Sequence, residues 1–181
     1  MDSVVKNGLE DYAVAGEILK ANRLNHIIEI ESKDGNGSYE LSKHGLSVTG
    51  LERNGIFFNI SNSLSDLVDN QRILRFIKKD FSKFKAFIEY DAVVGMKVWE
   101  RIATSFSSLI NMISKTTICD GQIIGLSKSF ERWKPSFIKE LDLKNVEEIE
   151  KFVLNEFWKF GYTKQELIYE SNERKTFFLL K

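Results

Sequence analysis

The 181-residue chain is 43% hydrophobic, 29% charged and 12% aromatic, with 26 Lys plus Arg balanced by 26 Asp plus Glu. These totals exclude a disordered tail, a low-complexity protein and a cysteine-stapled mini-scaffold. Zero net charge argues against a whole-surface attraction to nucleic acid or to an anionic membrane, and leaves local patches open.

A chain of this length buries roughly 70% of its extended surface, so a core forms without a metal or disulfide. Cys119 is the single cysteine and cannot form an internal disulfide, so a reducing, cytoplasmic compartment is expected. Met1-Asp2-Ser3-Val4-Val5-Lys6 lacks the basic region and apolar run of a signal peptide. No stretch approaches the ~20 apolar residues of a membrane span. One proline, Pro135, and no internal repeat predict a single globular domain over 1–181.

In chain order, a helix is predicted over 8–21, with Leu9, Tyr12, Ala13, Gly16 and Leu19 on one face. From Leu24 the period changes to two, since Leu24, His26, Ile28 and Ile30 alternate with Asn25, Ile27, Glu29 and Glu31. Lys33-Asp34-Gly35-Asn36-Gly37 then reads as a hairpin turn, because Asp-Gly and Asn-Gly favour positive φ. Its partner strand is expected at 38–42, and two more strands at 45–49 and 55–60 complete an antiparallel meander.

Beyond Ser61 the pattern turns helical, with Ser63 or Ser65 as a cap. Ile73, Leu74, Ile77, Phe81, Phe84 and Ile88 share a stripe, and Arg72, Arg75, Lys79 and Lys83 lie opposite it. A long helix is predicted over 92–114, with Asp91 as a possible cap and an apolar arc from Val98 to Ile113. A last helix spans 146–160; Asn145 and Glu148 have capping spacing, and Gly161 sits where a left-handed residue ends helices. Segments 167–170 and 176–180 read as a β-hairpin. Strands and helices segregate in this reading, so the expected class is α+β, with helices packed on an N-terminal antiparallel meander and a C-terminal β-hairpin.

One cysteine and two histidines far apart exclude a zinc site, and no metal is expected. Asp34-Gly35-Asn36-Gly37 and the segment from Asp120 to Gly125 match neither glycine-rich phosphate loop, so no cofactor is expected either. A nucleophile is limited to Cys119, with His26 or His44 as its base; a small buried hydrophobe and a satisfied core histidine are the competing readings. No residue pattern resembles a known family.

Two charge blocks and one aromatic segment remain. Glu147, Glu148, Glu150 and Glu156 form an acidic helix, in which the first three also complement the helix dipole. Arg72, Arg75, Lys79 and Lys83 form a basic face over 72–85 that would contact phosphates. Arg132, Trp133 and Lys134 carry the residue types of binding hot spots, although Trp133 also suits a core. The resulting expectation is a non-catalytic protein-binding module, an inhibitor or immunity-type neutraliser whose acidic helix meets a basic, nuclease-like protein partner. The alternatives are a nucleic-acid-binding accessory protein using 72–85, and a small enzyme using Cys119 and His26. A membrane partner is not expected.

Overall fold

The computed structural model describes residues 9–66, 68, 73–85, 90–96, 98–102 and 104–181. The chain divides into two compact units, Met1–Val94 and Gly95–Lys181.

The first unit alternates helix and strand: α1 (Glu10–Ala21), β1 (His26–Ile30), α2 (Asn36–Lys43), β2 (Ser47–Glu52), α3 (Gly55–Ser65), β3 (Leu74–Lys78) and β4 (Ala92–Gly95). Its strand order is β3-β2-β1-β4. β1 pairs parallel with β2 and with β4, and β2 pairs parallel with β3. The order reverses between β2 and β4, so β1 flanks a topological switch point, where open parallel sheets place their ligands.

The expected α+β meander is therefore overturned in this half of the chain, which is a parallel α/β arrangement. The physical reason lies in β1. Ile27, Ile28 and Ile30 are all buried to within 1% exposure, so both faces of the strand are covered. Glu29 in the same strand is buried as well, at 2%, so its polarity imitates an alternation that the fold does not have. Gly35 does take positive φ, at 84°, but the chain enters α2 there instead of reversing into a second strand. Residues 55–60, expected as a strand, are helical in α3 because Asn54 accepts from the amides of Ile56 and Phe57 and caps them. Part of the expected basic helix at 72–85 is β3, followed by a short 3-10 turn over Phe81–Lys83.

The second unit contains α4 (Trp99–Ile102), α5 (Phe106–Thr116), β5 (Gly121–Ser127), α6 (Pro135–Glu140), α7 (Val146–Lys159), β6 (Lys164–Glu170) and β7 (Arg174–Leu180). The strand order is β5-β7-β6, and both pairings are antiparallel. The expected long helix at 92–114 is a second correction. Ala92-Val93-Val94-Gly95 is a strand, buried throughout, and the helical part begins again after Ser105, whose side chain forms a reciprocal capping box with Ser108.

The aromatic core of this unit links Trp99 to Phe157 and Phe157 to Tyr162, at centroid separations of 5.3 and 5.6 Å. Gln122 donates to the Tyr162 hydroxyl, which in turn donates to the Cys119 carbonyl oxygen at 2.5 Å. Among the described residues, no helix is long and apolar enough to cross a membrane.

Candidate functional site

The loop from β1 to α2 is the most constrained backbone in the first unit. Glu31, Lys33 and Gly35 all have positive φ, at 55°, 53° and 84°. Only glycine adopts that region without strain, so Glu31 and Lys33 each hold a conformation that costs about 1–2 kcal/mol. The loop is fixed from several sides. Ser32 N donates to the Leu51 carbonyl at 3.0 Å, and Gly35 N donates to the Ser32 carbonyl at 2.9 Å. A Cβ on Gly35 would lie 2.7 Å from Phe76 Cζ and 2.8 Å from Ser61 Cβ, so only glycine fits there.

Glu52, the last residue of β2, closes this loop. Its Oε2 accepts from Lys33 N at 2.8 Å, and its Oε1 accepts from Asn54 N at 2.6 Å. It is only 4% exposed. A carboxylate oxygen has two lone pairs, so each retains capacity for a further donor such as a hydroxyl. Beside it the Ser32 hydroxyl is buried and has no hydrogen-bond partner among the described residues.

Arg53 lies 3.5 Å from Glu31 and 3.9 Å from Asp80, just past the end of β3. Asp80 accepts from Ser82 N at 2.8 Å; its bonds to Ser82, helped by the Arg53 charge, hold its carboxyl below the usual range. The carboxyl-terminal ends of three neighbouring parallel strands thus carry a strained turn, a fixed buried carboxylate and a second acid.

Beneath the loop, Glu29 is sealed in. Tyr12 of α1 donates to its Oε1 at 2.6 Å, and the Ser38 hydroxyl of α2 donates to its Oε2. Burial pushes the Glu29 carboxyl up to about 7, partly offset by these two hydrogen bonds. Glu29 therefore ties α1, β1 and α2 together from below.

The residues singled out from the sequence lie elsewhere. His26 is exposed at the start of β1, 3.5 Å from Asp91, where a buried core histidine was expected. Cys119 is in no disulfide and is 1% exposed. Arg75 is bound to Thr49 and the Tyr90 hydroxyl at 2.8 and 3.1 Å, which makes it a brace across β2 and β3. Lys79 and Lys83 are exposed, and Arg72 lies outside the described residues.

In the second unit, Glu148 makes the predicted cap with Asn145, Glu150 binds Lys175 at 2.8 Å, and Glu156 is 4% exposed and held by Lys159. Trp133 is 1% exposed and stacked on Phe137, so it fills a core; Arg132 reaches Glu173 at 3.6 Å, and Lys134 stands at the N-cap position of α6 with no side-chain capping bond. Among the described residues, no group of His, Cys, Asp or Glu is arranged to hold a metal.

Sequence reasoning missed Ser32, Glu52 and Asp80. The signal that could have found them is an acid at the end of each of two parallel strands, Glu52 and Asp80, following a glycine-bearing turn.

No protein-family model matches the chain, and no curated protein matches it. Solved structures do. The methyltransferase domain of bacterial CtHen1-CN aligns with a TM-score of 0.71 at 13% identity, over 94% of this chain and 97% of that one. Magnesium protoporphyrin IX methyltransferase from Synechocystis PCC 6803, solved with bound SAM, aligns at 0.67 and 14% identity, over 94% and 77%. The S-adenosylmethionine-dependent methyltransferase SibL aligns at 0.65 and 10% identity, over 94% and 54%.

The chain has the methyltransferase fold. This likeness overturns the expectation of a non-catalytic protein-binding module, an inhibitor or immunity-type neutraliser. It also removes the basis for the α+β meander, since it runs through 94% of the chain.

Proposed function

We propose that the protein is an S-adenosylmethionine-dependent methyltransferase that holds its cofactor at the ends of β1, β2 and β3. The observation that carries this reading is Glu52. It is buried, fixed by two amides at the end of the second parallel strand, and retains lone pairs where Rossmann-type folds bind ribose hydroxyls. The unsatisfied Ser32 hydroxyl beside it fits a polar ligand, because a buried hydroxyl left without a partner costs about 1–3 kcal/mol.

Glu52, Ser32 and the strained turn from Glu31 to Gly35 would hold the nucleoside, with Asp80 as a further acceptor at the end of β3. S-adenosylmethionine, when bound, supplies a methyl group on a sulfonium centre for transfer to a nucleophile. The chain's own part is to hold the nucleoside in one orientation. Glu29 ties α1 and α2 to β1 on either side of this loop through Tyr12 and Ser38.

The test is a thermal-unfolding series with S-adenosylmethionine. A ligand at about a hundred times its Kd stabilises the folded state by about 2.7 kcal/mol, so Tm is expected to climb with concentration. Glu52→Ala is expected to move the climb to at least about tenfold higher concentration. A wild-type Tm that does not respond to the cofactor would sink the proposal.

A further inference from the structure

Four glutamates are buried among the described residues: Glu29, Glu52, Glu100 and Glu156. Three are satisfied. Glu29 accepts from Tyr12 and Ser38, Glu52 accepts from two amides, and Glu156 accepts from Lys159. Glu100, in α4, is 7% exposed, and its buried Oε2 accepts no hydrogen bond. An ionised oxygen left in that state destabilises the folded chain. The unmet acceptor therefore points to a partner outside the chain.

The backbone leading to Glu100 is fixed. Trp99 is fully buried, and its indole N–H donates to the Gly95 carbonyl at 2.8 Å. Gly125 of β5 lies against this segment; a Cβ there would stand 2.5 Å from the Met96 carbonyl oxygen and 2.8 Å from Arg174 Cδ. Arg174 Nη1 donates to the same Met96 carbonyl at 3.5 Å. Strands β5 and β7 thus hold the entry to α4 in place. Burial keeps the Glu100 carboxyl above the usual range, against its own main-chain amide and the guanidiniums of Arg101, Arg174 and Arg132. Arg132 turns to Glu173, at 3.6 Å. Glu100 is a proton acceptor without a partner, set in a positive field.

Strand β4 pairs with β1, and Glu100 follows its last residue, Gly95, by five residues. Five residues span at most about 18 Å. Glu100 therefore belongs to the segment beyond the carboxyl end of a parallel strand, as Asp80 does beyond β3, and such sheets place their ligands beyond those ends.

We infer that Glu100 takes the proton of the methyl acceptor, and that this acceptor is an aromatic hydroxyl. The inference rests on the cofactor reading above. The hydroxyl donates to Glu100 Oε2 and leaves its proton there as its oxygen bonds to the methyl carbon of the cofactor. The carbon–sulfur bond breaks, its electron pair stays on sulfur, and Glu100 passes the proton to water. The three guanidiniums favour an oxygen that becomes anionic and disfavour an ammonium in the same place. An aromatic hydroxyl titrates at about 10, as tyrosine does, which brings its proton within reach of a carboxylate.

A panel of phenols and their methyl ethers tests this on the full chain, by calorimetry with S-adenosylhomocysteine present and by methyl transfer from S-adenosylmethionine. At least one phenol is expected to bind and be methylated, and its ether to bind at least about tenfold more weakly. Glu100→Gln should bind S-adenosylhomocysteine as wild type does and lower kcat about a hundredfold or more. It should also remove the acid limb of the pH–rate profile and keep Tm equal or higher, since a buried charge without a partner is gone. A merely structural role would lower Tm and leave the limb. Phenols that do not bind, transfer to amines alone, or undiminished turnover in Glu100→Gln overturns the inference. If S-adenosylhomocysteine binds and no phenol does, the cofactor reading stands and this one falls; if neither binds, both fall.

Discussion

Glu29 carries a carboxyl group taken almost wholly out of water, at 2% exposure. Its carboxyl ordinarily titrates at 4.5 and is pushed up to about 7 by burial. Across that window the folded chain keeps a proton that the unfolded chain has released. The resulting stabilisation is fully present below 4.5, is lost as pH rises, and is gone above about 7. It amounts to about 3 kcal/mol at most. Urea midpoints measured between pH 4.5 and 7.5 should therefore fall with pH, and Glu29→Gln should flatten the profile; a parallel slope in the variant would assign the effect to other groups. Gly35 gives a second prediction. Alanine there meets both a φ of 84° and Phe76 Cζ at 2.7 Å, so Gly35→Ala should lower unfolding stability by about 2–4 kcal/mol in denaturant titration. The positive φ at Gly35 was legible in the Asp-Gly dipeptide. The residue that follows it was not, because a left-handed residue serves a hairpin turn and a helix entry equally well.

Two helices were legible, α1 from the periodicity of its apolar face and α7 from its caps. α1 begins within two residues of the expected start, and α7 carries the Asn145–Glu148 cap and the positive φ at Gly161 that its sequence announces. Parallel strands were not legible, because their signal is continuous burial and polar residues interrupt it. Glu29 in β1 and Thr49 and Glu52 in β2 are all buried at 4% exposure or less, each satisfied by a specific partner. α3 was hidden differently, since its apolar residues face outward and its serines inward, so periodicity placed a strand where a capped helix forms. Its N-cap carries a prediction of its own: Asn54→Ala removes the acceptor for Ile56 N and Phe57 N and should cost about 1 kcal/mol of stability. An unchanged denaturation midpoint would show that the helix end is held by something other than this cap.

For the molecule as a whole, composition and charge excluded much and selected little. The site escaped notice for a specific reason: two of the three left-handed positions in its loop are Glu31 and Lys33, where a glycine-rich motif would have announced a nucleotide fold. The information therefore lies in backbone shape, which structures of 10–14% identity share with this chain. The central claim is that Glu52 and the turn from Glu31 to Gly35 hold a nucleoside. Isothermal titration calorimetry with S-adenosylhomocysteine tests it most directly. The account predicts one site per chain, with Glu52→Ala binding at least about tenfold more weakly while keeping the wild-type far-ultraviolet spectrum. No heat of binding to the wild type, or an unchanged Kd in the folded variant, would contradict it.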